Sequence, residues 1–165
     1  MSEQGDRGYT DLPFEKGVPK HDGRIRALAA LDEMMAFLGL VRAELGITAE
    51  AAGVVDIAAD INQIQRQLVT VSAHVAGFAK PESVDQFSGW LERRATELDA
   101  RLEPLREFIL PGVNRTEGFL HCARAKCREC ETRVADLQDC EPVIKYVNRL
   151  AKYLFNAGRI VAGKA

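Results

Sequence analysis

Apolar residues recur at intervals of three and four along five separate stretches of this 165-residue chain, each opened or closed by a helix-capping or helix-breaking residue. Asp22 is placed to cap a first helix reaching about Glu44, with Ile25, Leu28, Leu31, Met35, Leu38 and Val41 on one face and Gly46 as its stop. Thr48 can open a second helix to about Phe78, with Val54, Ile57, Ala58, Ile61, Ile64, Leu68, Val71 and Val75 as its stripe. Behind Pro81, Ser83 and Gln86 form a capping-box pair ahead of Val84, Phe87, Leu91, Ala95, Leu98 and Leu102. Asn114 and Glu117 form another, opening a fourth helix to about Asp136. Pro142 sits in the first turn of a fifth, which carries Val143, Val147, Leu150 and Leu154. Amphipathic helices joined by short links pack antiparallel, so the expected class is all-α, a five-helix bundle over residues 22–165. Residues 1–21, with Gly5, Gly8, Gly17, Pro13 and Pro19 and little periodicity, read as an extended, loop-like N-terminal arm. No stretch reads as a convincing strand.

Composition narrows the function classes. Lys and Arg number 22 against 24 Asp and Glu, a net charge of -2, which argues against a nucleic-acid binder working through bulk positive charge. The longest run without a formal charge, Gln67 to Ala79, is shorter than the roughly 20 residues a membrane-spanning helix needs. The N-terminus is polar and shows no apolar signal-peptide core, so the expected location is cytoplasmic. The charge is nonetheless uneven. Residues 142–165 carry Lys145, Arg149, Lys152, Arg159 and Lys164 and no acid, whereas only Glu44, Glu50, Asp56 and Asp60 are charged between Arg42 and Arg66. A small polyphosphate needs a few well-placed cations rather than a basic protein.

Cys122, Cys127, Cys130 and Cys140 are not expected to form a disulfide framework without a secretion signal. The Cys122-x4-Cys127-x2-Cys130 spacing resembles an iron–sulfur run, but such ligation needs a loop, and 115–137 reads as helix. On a helix Cys122 and Cys127 lie roughly 140° apart. The cysteines read as small apolar residues between helices. A metal or redox site from Cys127, Cys130 and His121 is the alternative.

Three segments carry more polar chemistry than a bundle requires. Gly5-Asp6-Arg7-Gly8-Tyr9-Thr10, with Lys20 downstream, could bring backbone N–H groups, a hydroxyl and a cation to an anion, or be a plain tail. Arg124, Arg128 and Glu131 share one helix face; such a stripe can grip a polyphosphate or simply be solvated. Asn148-Arg149 interrupts an apolar helix, and Asn148, bordering the buried face, needs amide partners. Asp32 sits beside Leu31 at the edge of its stripe, where a carboxylate is expected to pair with a cation such as Arg124. His21, His74 and His121 share no ligand spacing, and no nucleophile–base set stands out.

Taken in order, these segments resemble the PduO-type corrinoid adenosyltransferases over nearly the whole chain. Gly5-Asp6-Arg7-Gly8-Tyr9-Thr10-Asp11-Leu12 is similar to that family's N-terminal ATP loop, and Lys20-His21-Asp22 and Leu31-Asp32-Glu33-Met34 to its next two blocks. Ile64-Gln65 and Phe108-Ile109-Leu110-Pro111-Gly112 match its second helix and its link. Leu120-His121, Ala123-Arg124, Cys127-Arg128 and Glu131 fall on its Arg-rich helix, and Asn148-Arg149-Leu150 and Tyr153-Leu154-Phe155 on its last.

The resemblance implies a ferritin-like bundle that forms a homotrimer with sites between subunits. It implies transfer of the 5′-deoxyadenosyl group from ATP to cob(I)alamin, with Mg²⁺ accompanying ATP near Glu131 and no fixed protein metal site. Gly5, Asp6, Gly8, Thr10, Lys20, Arg128, Glu131 and Asn148 would surround ATP. Asp32 and Arg124 would form an ion pair on the corrinoid side and, with Arg128, act in catalysis. Phe108 would lie beneath the corrin. Hand-off of adenosylcobalamin to an enzyme that uses it is a further expectation; nucleic-acid and membrane partners are not. Departures fall around these residues: Glu3 brings the wrong sign to the arm, and Arg26, Ala29-Ala30, Met35, Glu129, Thr132 and Lys152 replace the family's usual residues. Acid has become base at Arg26 and Lys152 and base acid at Glu129, which suggests Glu129 paired with one of those cations, within the bundle or across the trimer interface. A non-catalytic corrinoid- or ATP-binding paralogue, or a bare trimer scaffold, are the competing readings.

Overall fold

The computed structural model describes residues 3–48 and 54–163. Five long helices carry the fold: α2 (Gly23–Thr48), α3 (Val54–Val75), α4 (Pro81–Asp99), α5 (Arg115–Val134) and α6 (Glu141–Val161). They follow a helical turn, α1 (Glu3–Asp6), and a two-stranded antiparallel hairpin, β1 (Tyr9–Leu12) and β2 (Glu15–Pro19). None of the described helices is long and apolar enough to cross a membrane.

The expected loop-like arm is thus a hairpin. Pro13 lies in its turn and Pro19 at a strand end, and strands this short are easily mistaken for loop. Thr10 pairs with Val18 and Leu12 with Glu15, while the apolar side chains of Leu12 and Val18 are buried. Asp11 accepts hydrogen bonds from Gly17 N–H at 2.9 Å and Lys16 Nζ at 3.0 Å. Phe14 stacks edge-on against Phe78 at 5.2 Å, docking the hairpin on the chain between α3 and α4.

The helix boundaries follow the capping logic with three corrections. Asp22 does cap α2, accepting from Arg24 N–H at 2.8 Å. Gly46, expected as the stop, lies inside α2, which runs to Thr48; one interior glycine costs about 1 kcal/mol, little against buried Val41 and Leu45. Thr48 therefore ends α2 rather than opening the next helix, and residues 49–53 lie outside the described ones. The Ser83–Gln86 box is not used: α4 begins at Pro81, whose fixed φ and missing N–H suit a first turn, and Lys80 precedes it without a side-chain cap. Asn114 caps α5 as expected, accepting from Glu117 N–H at 2.9 Å.

The core forms where the predicted stripes meet. Leu31, Met34, Leu38, Ile57, Ile61, Ile64, Leu68, Leu91, Leu120, Val147, Leu150 and Leu154 are all buried in it. α5 packs against both α2 and α6, α4 against α6, and α3 against α2. Cys127, Cys130 and Cys140 are buried as expected, and Cys127 Sγ lies 2.9 Å from Met34 Sδ; Cys122 departs from the expectation and is exposed. Burial pushes the Cys130 thiol up to about 12 and raises that of Cys127 well above its ordinary value. Among the described residues no group of three or more His, Cys, Asp or Glu side chains could hold a metal ion.

One buried polar network escaped the sequence reading. Asp60, on α3, accepts from Arg94 Nε at 2.9 Å and from the Tyr153 hydroxyl at 2.8 Å, which joins α3, α4 and α6. A carboxylate buried to this degree is stable only when its lone pairs are met by such donors.

Candidate nucleotide and corrinoid site

The arm residues converge first. Gly8 adopts φ +83°, a backbone conformation that favours glycine, and its carbonyl accepts from Lys20 N–H at 2.8 Å. The Lys20 ammonium reaches back to the Gly5 carbonyl at 2.7 Å. Gly5, Gly8 and Lys20 are thereby closed into one small unit beside Asp6, with Thr10 starting the hairpin. Among the described residues no carboxylate neutralises Lys20, so its charge remains available to an anion.

On α5 the charged residues divide into two flanks, because residues three and four apart share a side. Lys126, Glu129 and Arg133 lie toward α2. Lys126 bonds Glu33 at 2.8 Å and Glu129 at 2.9 Å, and Arg133 bonds Glu129 at 2.5 Å. The Arg133 and Lys126 cations hold the Glu129 carboxyl below its usual range. Lys20, Arg26, Glu33, Glu129 and Arg133 line a recess of about 190 Å³ here. Within the chain the expected partners of Glu129 are therefore corrected. It is met by two cations of its own helix; Arg26 borders the same recess, and neither it nor Lys152 forms an ion pair with Glu129 among the described residues.

Arg124, Arg128 and Glu131 lie toward α6. Asn148 Nδ2 donates to Glu131 Oε1 at 3.0 Å, an interhelical bond, although Asn148 is exposed rather than bordering the buried face closely enough to need a partner. The second Glu131 oxygen makes no hydrogen bond among the described residues. Arg128 is exposed and has no carboxylate partner among them. The Arg124 guanidinium sits 5.5 Å over the Phe155 ring, while its Nε is buried without a hydrogen-bond partner.

Two placements differ from expectation. Asp32 is exposed rather than half-buried, and no ion pair joins it to Arg124 within the chain. One step along a helix turns a side chain by about 100°, enough to carry Asp32 from beside buried Leu31 into solvent. The arm and the Arg128–Glu131–Asn148 group also fail to meet. The former adjoins the α2 flank of α5, the latter its α6 flank, and the helix stands between them.

Phe108 is fully exposed at 100%, in a link with no helix or strand between α4 and α5. Leu105, Leu110 and Val113 in the same link are also exposed. A cavity of about 600 Å³ lies between Glu103–Ile109 and Arg159 of α6.

Sequence reasoning missed the residue behind this link. Glu117, taken as a capping-box partner of Asn114, turns its carboxylate the other way and accepts from Gly112 N–H at 2.7 Å and Val113 N–H at 3.2 Å. Its other oxygen faces His121 Nε2 at 3.1 Å, off the line of a good hydrogen bond. The i, i+4 spacing of Glu117 and His121 was the available signal.

Comparison with known proteins places the whole chain beside one family. The family model described as cobalamin adenosyltransferase matches residues 1–161. A corrinoid adenosyltransferase of Bacillus subtilis is 30% identical over 171 residues, covering 99% of this chain and 86% of the relative. A cobalamin adenosyltransferase of Cupriavidus metallidurans is also 30% identical, covering 95% and 84%. Among solved structures, a variant PduO-type adenosyltransferase from Lactobacillus reuteri in complex with ATP superposes with a TM-score of 0.83 at 25% identity, covering 99% of this chain and 94% of that one.

Proposed function

The chain belongs to the cobalamin adenosyltransferase family, of the PduO type, and we infer from that membership that it transfers the 5′-deoxyadenosyl group of ATP to cob(I)alamin. The cobalt of the substrate, in its Co(I) state, supplies the electron pair that forms the bond to the 5′ carbon. The bond from that carbon to the triphosphate oxygen breaks, and triphosphate leaves with its electrons.

The chain's own residues serve the two ends of this exchange. Lys20 and Arg128, both without carboxylate partners among the described residues, meet the negative charge that grows on the leaving triphosphate. Fixed donors aimed at developing charge lower the barrier more than they tighten substrate binding. Backbone N–H groups around Gly5 and Gly8, with Asp6 and Thr10, complete the grip. Asn148 holds Glu131 so that its unengaged oxygen is presented outward. A single carboxylate with phosphate oxygens is the usual environment of Mg²⁺, so the residues present fit a magnesium–ATP complex. At the other end, exposed Phe108 presents an apolar face beneath the corrin and displaces its lower axial ligand. Arg124, once a neighbouring subunit brings an Asp32 to it, shapes the same side.

Two facts support assembly into a homotrimer with shared sites. The arm and the Arg128 group lie on opposite flanks of α5, so one subunit cannot close both around one ATP. Asp32 and Arg124 are unpaired with each other within a chain, and a neighbouring subunit can bring them together. A ring of identical, head-to-tail interfaces supplies both pairings at once. The arm, 1–21, then serves the neighbour's bundle, 22–165. Action in the cytoplasm and transfer of the product to an adenosylcobalamin-dependent enzyme complete this reading.

The observation that carries the proposal is the unpaired Arg128 beside the Asn148–Glu131 clamp. Calorimetric titration with magnesium–ATP tests it: Arg128→Ala should weaken binding by about tenfold or more, the scale of a lost charge-assisted contact. Unchanged affinity and turnover would remove Arg128 from the site.

A further inference from the structure

The link that carries Phe108 has no secondary structure of its own, yet both its ends are fastened. At the start, the Arg159 guanidinium of α6 donates to the Glu103 carbonyl. At the end, Glu117 Oε2 accepts from Gly112 N–H and Val113 N–H. Gly112 has φ +114°, a conformation other residues resist.

Glu117 is an unusual choice for a structural bond. Its side chain is 1% exposed, on a helix whose buried face is otherwise largely apolar. A carboxylate in that position is costly unless hydrogen-bonded, and its bonds go to the link rather than to its own helix. Behind it, His121 packs edge-on to Phe155, and Phe155 lies beneath Arg124. The link end, Glu117, His121, Phe155 and Arg124 therefore form one continuous run of contacts.

We propose that Glu117 is a positioning residue for the corrinoid end of the reaction: by pinning Gly112 and Val113 it sets where Phe108 stands relative to Arg124. This rests on the adenosyltransferase reading for its consequence in turnover, but not for its structural content. Releasing the anchor frees the link to sample many positions. A side chain that must displace an axial ligand then spends less time in the productive one. ATP binding, at the arm and at Arg128, is untouched.

Hydrogen exchange followed by mass spectrometry, together with steady-state kinetics, tests the proposal. In Glu117→Ala the amides of the link end should exchange at least about tenfold faster, equivalent to losing one good hydrogen bond. In Glu117→Gln, which keeps an acceptor, protection should largely return. With cob(I)alamin and ATP, Glu117→Ala should lower kcat/KM for the corrinoid about tenfold or more and leave KM for ATP unchanged, and Glu117→Gln should restore part of the loss. Should Glu117→Ala fail to fold, Glu117→Asp, one methylene short of the link, carries the same measurements. Unchanged exchange at the link end, or equal losses toward ATP and corrinoid, would overturn the proposal. If the wild-type protein shows no turnover, the functional reading fails, and the exchange data still decide whether Glu117 anchors the link.

Discussion

Asn148 Nδ2 donates to Glu131 Oε1 at 3.0 Å, so an exposed polar residue of α6 fixes a carboxylate on α5. The bond leaves one carboxylate oxygen unengaged and keeps it beside an exposed arginine. It also places this group on the far side of α5 from Lys20. The proposed shared site between subunits rests on that separation.

Mixing inactive variants tests the shared site. Lys20→Ala and Arg128→Ala should each be nearly inactive alone. Co-assembled in equal amounts, they should recover about a quarter of wild-type activity, because random assortment in a head-to-tail ring restores one site in four. No recovery from demonstrably mixed trimers would place both residues in a site within one subunit.

Arg94→Ala should cost about 3–5 kcal/mol in denaturant unfolding, because it strips buried Asp60 of its cation. Tyr153→Phe should cost only about 1 kcal/mol, since Asp60 keeps Arg94. Equal costs would mean that Arg94 is not the partner on which buried Asp60 depends.

Burial holds the His121 imidazole below its ordinary value of 6.5, against the opposing pull of Glu117. The unfolded chain therefore takes up the proton first as pH falls. Stability from this group is complete above about pH 6.5 and declines below it, until the lower native value is passed. His121→Gln should flatten that part of the pH–stability curve. A variant curve parallel to the wild type would show that His121 does not titrate differently on folding.

Iodoacetamide should modify Cys122 in the native protein and leave Cys127, Cys130 and Cys140 unmodified until unfolding, because only Cys122 is exposed. The raised thiol values of the other three reinforce this order. Peptide mapping reads the result directly; early labelling of Cys127 would mean that α5 opens readily from α2.

Much of the fold was legible because helical period and caps are local signals. Asp22 and Asn114 cap the helices that they appear to cap in the sequence, and the stripes of α3 and α6 are buried as spaced. The hairpin was not legible, since strands of four and five residues carry no period long enough to read. Glu117 shows a second limit. At the third position of a helix, a Glu reads as a capping partner whichever way it turns, and only the path of the preceding link decides. For Asp32, one residue of helical rotation separated an ion-pairing edge from open solvent.

Anaerobic incubation of the protein with ATP, Mg²⁺ and cob(I)alamin tests the central claim most directly. The Co(I) spectrum should decay as adenosylcobalamin and triphosphate appear in equal amounts, and the rate should collapse in Arg128→Ala. Persistence of the Co(I) spectrum with ATP demonstrably bound would contradict the account and leave a protein that binds these molecules without joining them.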